Sequence, residues 1–336
     1  MPANPSPLTA PTADDFRAWH QVQSAALAHD RPGEPVPSLS AVRARLSTYT
    51  DGSRLVLWLV RGQAGDPVAT ALLRLFDDPA RAAELVLTVH PAHRRMGTGS
   101  RLLATAVEAA TAAGCGTVAT EVTAGTSGEG FVRTRDFAPA LRLTWQRLVL
   151  DDIPEHVRKL PQVPHPGYRL TAWEGVAPDP FAQSLATARS GMDDTPRGDL
   201  AVRGTTWDVA RVREIAELAA GRGEGEQLLT VAAIDDTDGT VAGYTKLVLP
   251  GPGGTGQGAR VAQQYDTAVL PAHRGHGLGL WMKAEMLRLV LAGHPGLAEI
   301  HTDIADDNRH MLAVNTALGF RPLRRSIAYQ LRLTAR

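Results

Sequence analysis

The stretch Val89-His90-Pro91-Ala92-His93-Arg94-Arg95-Met96-Gly97-Thr98-Gly99 returns 180 positions later as Val269-Leu270-Pro271-Ala272-His273-Arg274-Gly275-His276-Gly277-Leu278-Gly279. Seven of the eleven positions are identical. Self-similarity at so long a period marks a duplicated domain, not a solenoid of short repeats. Each copy follows a β-rich run, Glu84–Val89 or Gln263–Val269. Each copy also opens an amphipathic helix. Leu102, Leu103, Ala106, Val107 and Ala110 share a face in the first, and Leu280, Ala284, Leu287 and Leu291 in the second.

A strand, a glycine-bearing loop and a helix make an anion site. Gly97, Gly99, Gly277 and Gly279 lack a Cβ, so a ligand can approach the backbone closely. The first N–H groups of the helix have no partner within it, and the helix dipole favours negative charge there. A diphosphate is the natural occupant, with Arg94 and Arg274 adding charge-assisted contacts. The other phosphate loops fit worse. A P-loop ends in Gly-Lys-Ser/Thr, but Ser100-Arg101 and Leu280-Trp281 follow here. The dinucleotide fingerprint needs a third glycine where Leu102 and Met282 stand.

Working outward, the second half reads as strands Gln227–Ile234 and Val241–Leu249, the motif helix, the strand Ala298–Ile304 and a helix Asn308–Leu318 ended by Gly319. The first half runs in the same order, with Leu55–Val60, Val68–Phe76 and Thr117–Val122 as strands. The fold class expected is α+β. It comprises two tandem domains, each a mixed, mostly antiparallel sheet flanked by helices. The proline-bearing stretch Asp151–Gly167 reads as extended. It sets a first domain at 1–155, a linker at 156–167 and a second domain at 168–336.

With 336 residues the chain suits two cores, and 35 basic against 35 acidic residues give no electrostatic reason for a nucleic-acid or membrane partner. Cys115 is the one cysteine, so no intrachain disulfide forms, which fits a reducing compartment. The opening residues lack a basic region followed by an apolar one, so a secretory signal is not expected. Nor does any run suit a membrane-spanning helix. A cytoplasmic protein is the expectation.

At the two loops the sequence resembles the GNAT superfamily of acetyltransferases, whose pattern Val-x-Pro-x-His/Tyr-Arg-x-x-Gly-x-Gly binds the diphosphate of acetyl-CoA. The likeness continues over Thr302–Asn308 and Met311–Phe320, which resemble the family's strand, splayed loop and following helix, here ending Asn-x-x-Leu-Gly-Phe. It implies acetyl-CoA as the cofactor. The residues expected around it are Val89, Arg94, Arg95, Gly97, Gly99 and Ser100 in the first copy. In the second they are Val269, Leu270, Arg274, Gly275, His276, Gly277, Leu278, Gly279 and Asn308. It also implies a backbone N–H near Val269 or Leu270 as the donor to the thioester oxygen. Asn315 stands where many relatives carry a tyrosine proposed as general acid, and an amide does not serve as an acid. The first copy departs further, with Asp136 before Phe137 and Val132 at the tyrosine place, so it is expected to bind CoA weakly or to be degenerate.

An attacking amine must lose a proton. Asp266, on the strand before the second motif, is the first candidate for base, with a structural carboxylate as the competing reading; Glu84 occupies a comparable strand in the first half. Asp193 and Asp194, between two early helices, are candidates to hold a cationic acceptor or to cap the next segment. His93 and His273 read as loop supports, and Cys115 as a small packed residue. The function expected is N-acetylation of a small-molecule amine by the second domain, with a homo-oligomer left open. Two alternatives stand beside it: a non-catalytic acyl-CoA-binding or scaffolding protein, and an enzyme similar to mycothiol synthase, itself a tandem member of the family.

Overall fold

The computed structural model describes residues 5–47, 53–76, 82–192, 196, 198–201, 207–220, 226–251 and 260–333. In chain order its elements begin with α1 (Ala13–Asp30), α2 (Leu39–Ser47), β1 (Ser53–Arg61), β2 (Pro67–Phe76), β3 (Ala82–Val89), α3 (Thr98–Ala112), β4 (Thr117–Thr123), α4 (Ser127–Arg133) and β5 (Ala138–Val149). Then come α5 (Glu155–Lys159), β6 (Tyr168–Glu174), α6 (Asp179–Arg189), α7 (Val209–Ala220), β7 (Gln227–Asp235), β8 (Val241–Leu249), β9 (Val261–Val269), α8 (Leu278–Gly293), β10 (Glu299–Ala305), α9 (Arg309–Leu318) and β11 (Arg321–Arg332).

Two compact units result, and neither is continuous in sequence. One holds the residues up to Arg142, the stretch 198–201 and residues 325–333; the other holds 143–192, 196 and 207–324. The first unit's sheet runs β1-β2-β3-β4-β11, and the second's runs β5-β10-β9-β8-β7-β6. Within each, one parallel pair (β3 with β4, β9 with β10) interrupts an otherwise antiparallel sheet.

The division differs from the expected cut at 155 and 168. The edge of β4 is closed by the C-terminal strand, with Ser326–Arg332 running against Thr123–Thr117. The edge of β10 is closed by the strand that ends the first repeat, with Leu143–Val149 against Ala305–Glu299. An open sheet edge needs a partner for its N–H and C=O groups, and each unit takes that partner from the other half of the sequence. The expected linker is also not extended. It contains α5, Val157 is 1% exposed, and Trp281 Nε1 on α8 donates to the Pro161 carbonyl at 3.2 Å. Its His165 ring stacks on Trp281 with centroids 4.1 Å apart.

The core of the first unit packs Leu102 and Ala106 of α3 on Leu73, Leu85 and Val118. That of the second packs Met282, Met286 and Val290 of α8 on Val231, Leu247 and Ile300. Among the described residues no helix is long and apolar enough to cross a membrane, and no group of three His, Cys, Asp or Glu is placed to hold a metal.

Two irregularities position the site. The parallel pairs are short: β3 meets β4 from Ala82↔Thr117 to Glu84↔Ala119, and β9 meets β10 from Val261↔Glu299 to Gln263↔His301. Past those points each pair splits, leaving a gap in the sheet beside the glycine loop. In the second unit β9 also carries a bulge. Thr245 faces Thr267 while Leu247 faces Gln264, so Tyr265 and Asp266 together oppose Lys246. The equivalent β2–β3 pairing runs without interruption from Ala69↔Val89 to Leu75↔Ala83.

Candidate functional site

The two loops are built alike. Gly97 (φ +80°) and Gly277 (φ +74°) cap α3 and α8 in the left-handed region, with no side-chain cap on either helix. Two residues earlier Arg95 (φ +65°) and Gly275 (φ +83°) are left-handed as well. Such residues turn neighbouring N–H groups to one side, forming a concave anion cradle at the helix N-terminus. For an arginine that conformation costs on the order of 1 kcal/mol. The Arg95 side chain is exposed and has no partner among the described residues.

The preceding arginines are used differently from the expectation. Arg94 Nε donates to the Val89 carbonyl at 3.2 Å, and Arg274 Nε to the Val269 carbonyl at 3.1 Å. Arg94 also grips Asp30 at the end of α1 with both terminal nitrogens, each at 2.7 Å. Burial alone would raise the Asp30 carboxyl, but the Arg94 hydrogen bonds and charge more than offset it and hold it below its ordinary value. Arg94 is thus a pin between loop and helix, its terminal nitrogens engaged by Asp30. His93 lies 3.2 Å from Asp66 and His273 3.8 Å from Asp235, each against a carboxylate of the preceding hairpin.

In the first unit a groove of about 840 Å³ opens between β3, β4 and the loop. Val89, Gly97, Gly99, Ser100 and Phe131 line it, with Arg135 at its side. Arg135 donates to Ser100 Oγ at 2.7 Å and stacks 3.7 Å over the Phe131 ring. At Gly99 a Cβ would lie 3.3 Å from Val89 Cγ2, so the loop packs tightly on the strand end. The face of the sheet toward α1 and α2 is apolar: Leu72 and Val86, directly opposed, pack with Phe16 and Trp19.

The corresponding face of the second unit is polar. Asp266, in the bulge, stands 180 positions after Val86. Its Oδ2 lies 2.6 Å from Nη1 of Arg189, the last residue of α6, whose guanidinium stacks 3.7 Å over the Trp207 ring. Lys246, opposite the bulge, is 4% exposed, and its Nζ lies 5.4 Å from the Tyr244 ring centroid. Burial and the nearby Arg189 push the Lys246 ammonium down to about 8, with Asp266 opposing them. Burial raises the Tyr244 hydroxyl, and Asp266 adds to the effect. Asp193 and Asp194 lie outside the described residues.

Behind the β9–β10 split lies a buried chain. Lys283 Nζ donates to Asn315 Oδ1 at 2.8 Å, and Asn315 Nδ2 donates to Gln146 Oε1 at 2.8 Å. Asn315 is 0% exposed, so it is packing rather than a group that meets solvent or substrate. Asn308 caps α9, its Oδ1 accepting from the Met311 N–H at 3.2 Å. Of the two expected backbone donors, Leu270 is engaged, since its N–H donates to the Ala242 carbonyl at 2.9 Å. Strand N–H groups alternate sides, so the Val269 N–H points the other way, toward the split.

The expectation missed Arg189, Tyr244, Lys246 and Trp207. A lysine amid the apolar residues of Val241–Leu249 was the visible signal. The arginine at the end of α6 carried none, because its partner lies 77 positions away.

The comparisons with known proteins agree with this geometry. Residues 17–128 and 199–320 match the model of the acetyltransferase (GNAT) family. Among solved structures, a tandem GNAT protein from the clavulanic acid biosynthesis pathway is similar at 27% identity and a TM-score of 0.78, over 97% of each chain. A GCN5-related N-acetyltransferase from Sphaerobacter thermophilus shares the fold at 16% identity and a TM-score of 0.69, over 99% of this chain and 96% of the other. So does a GCN5-related glucosamine N-acetyltransferase region of a fungal multi-domain β-N-acetylglucosaminidase, at 14% identity and a TM-score of 0.68, over 98% of this chain and 38% of that one. No curated protein matches the sequence significantly. With two glycine loops, two split sheets and a family match over more than half its length, the chain belongs to the GNAT acetyltransferase family as a tandem member.

Proposed function

We propose that the protein transfers an acetyl group from acetyl-CoA to the primary amine of a small molecule, with the chemistry in the second unit. One observation carries this reading. Beside its anion loop the second unit has a bulged strand that presents Asp266 and a polar face. The first unit has the loop and groove, but Leu72 and Val86 at the matching places.

The amides at the start of α8, with Gly277 and Gly279, would hold the diphosphate, and Asn308 would flank the pantetheine arm. Bound there, acetyl-CoA supplies an activated acyl carbonyl. The Val269 N–H would donate to the thioester carbonyl oxygen as that oxygen gains negative charge. Arg189 fixes Asp266 through Oδ2, leaving Oδ1 without a partner among the described residues. That oxygen takes a proton from the incoming ammonium, directly or through one water. The freed lone pair would form the C–N bond as the C–S bond breaks, with CoA leaving as the thiolate and the nitrogen's second proton passing to that thiolate or to water, which leaves a neutral amide. Asn315 takes no part as an acid. The apolar face of the first unit supports a second reading for that unit alone, acyl-CoA binding without transfer.

The test is release of CoA thiol from acetyl-CoA across a panel of small amines, using wild type, Asp266→Ala and Gly277→Glu. Amine-dependent turnover lost in both variants is expected. Absence of turnover with every amine, or full activity in Asp266→Ala, would overturn the proposal.

A further inference from the structure

The polar face around Asp266 holds more hydrogen-bond donors than it uses. Arg189 is 8% exposed, Lys246 4% and Tyr244 0%. Among the described residues the buried Arg189 Nε, Tyr244 Oη and Thr230 Oγ1 have no hydrogen-bond partner. Thr230 is paired in register with Lys246, so the two share a face. The Lys246 carbonyl accepts from Gln264 Nε2 at 2.6 Å, but its Nζ makes no hydrogen bond or ion pair among the described residues; the Tyr244 ring is its neighbour. Two cations therefore face one carboxylate. A buried cation without a counterion, and buried donors without acceptors, are each costly. Such groups are uncommon in native structures and call for a water, an ion or a ligand to complete them.

From these groups we infer that the acceptor carries a carboxylate as well as its amine, and that Lys246, Tyr244, Thr230 and the free edge of Arg189 bind that carboxylate while Asp266 receives the amine. The chemical class is thus an amino acid or a similar zwitterion. Asp266, with about a quarter of its side chain exposed, is the most accessible of these groups, and Lys246, Tyr244 and Thr230 lie deeper. Trp207, stacked on Arg189, holds the guanidinium in place. An uncharged amine would satisfy Asp266 and leave the deeper donors as they are now.

The inference rests on the acyl-transfer reading, so its test has two arms. In the first, acetyl transfer is compared for matched amines that differ in the carboxylate: glycine against methylamine, and β-alanine against ethylamine. A preference of about tenfold or more in kcat/KM for the acids is expected, the scale of one charge-assisted hydrogen bond. It should shrink to within about twofold in Lys246→Met. Tyr244→Phe removes a hydroxyl that has no hydrogen-bond partner among the described residues. It should leave the melting temperature unchanged or higher, yet reduce the preference, which a structural role would not do. Equal or better use of the uncharged amines overturns the inference. If no amine turns over, the transfer reading fails by itself. The carboxylate site is then judged by titrating N-acetylglycine into the full chain and following the melting temperature. A rise in wild type that is absent in Lys246→Met supports the site, and no rise overturns it.

Discussion

In the second unit Arg189 Nη1 and Asp266 Oδ2 lie 2.6 Å apart, joining the end of α6 to the bulge of β9. The pair makes one oxygen of Asp266 a structural atom and leaves the other for chemistry. Arg189→Met with Asp266→Ala removes both charges at once, whereas Asp266→Ala alone strands a nearly buried guanidinium. The single change should destabilise by roughly 1–3 kcal/mol, discounted from a fully buried pair because Asp266 is partly exposed. The double change should recover most of that in thermal melts without recovering turnover. Recovery of turnover as well would assign Asp266 a purely structural role.

The two glycine loops can be separated by calorimetry. Gly97 and Gly277 are both left-handed, so a glutamate at either place strains the loop and puts a carboxylate at the anion cradle. Wild type should bind about two equivalents of acetyl-CoA, and each variant about one, by the duplicated geometry. Turnover should vanish in Gly277→Glu and persist in Gly97→Glu.

Arg95 holds a conformation that glycine adopts freely, at φ +65°. Arg95→Gly should leave stability within about 1 kcal/mol of wild type, since relief of strain is opposed by the greater freedom of the unfolded chain. If the exposed guanidinium meets the diphosphate, affinity in the first unit should fall several-fold and become less sensitive to salt. Unchanged affinity would leave the backbone alone as the anion cradle.

Lys283 gives a pH signature. Burial pushes its ammonium from 10.5 to about 7. Below pH 7 both folded and unfolded chains hold the proton, and the cost of burial is fully felt. Between about 7 and 10.5 the unfolded chain binds more protons, so stability must rise with pH. Lys283→Met should abolish that rise, which is on the order of a few kcal/mol. Urea midpoints measured from pH 6 to 9.5 check it.

The repeat, the helix-opening loops and most strand centres were legible because they are local. Gly97 and Gly277 read as loop glycines from their place before an amphipathic run and take φ of +80° and +74°, and Gly319 ends α9 at φ +97°. Between the Val269 and Leu270 N–H groups the sequence could not choose, because the side to which a strand N–H points depends on register, fixed here by the bond from Leu270 to Ala242. Arg189 and Lys246 escaped for a related reason. Their roles arise from neighbours on other elements, and no period in the sequence brings those together. The stretch 156–167 looked extended because prolines suggest it, but Val157 and His165 find apolar partners that the chain order conceals.

The exchanged closing strands bear on how the protein is made. As the chain leaves the ribosome, β1 to β4 emerge early, but β4 must wait for Ser326–Arg332. Some two hundred residues are synthesised in between, while a sheet edge stands open to wrong partners. Severing the gene between the repeats would yield two fragments, each missing its final strand and carrying its sibling's. Duplication thus left the two halves dependent on each other's strand, so that one glycine-loop site can be reshaped without discarding the half that bears it.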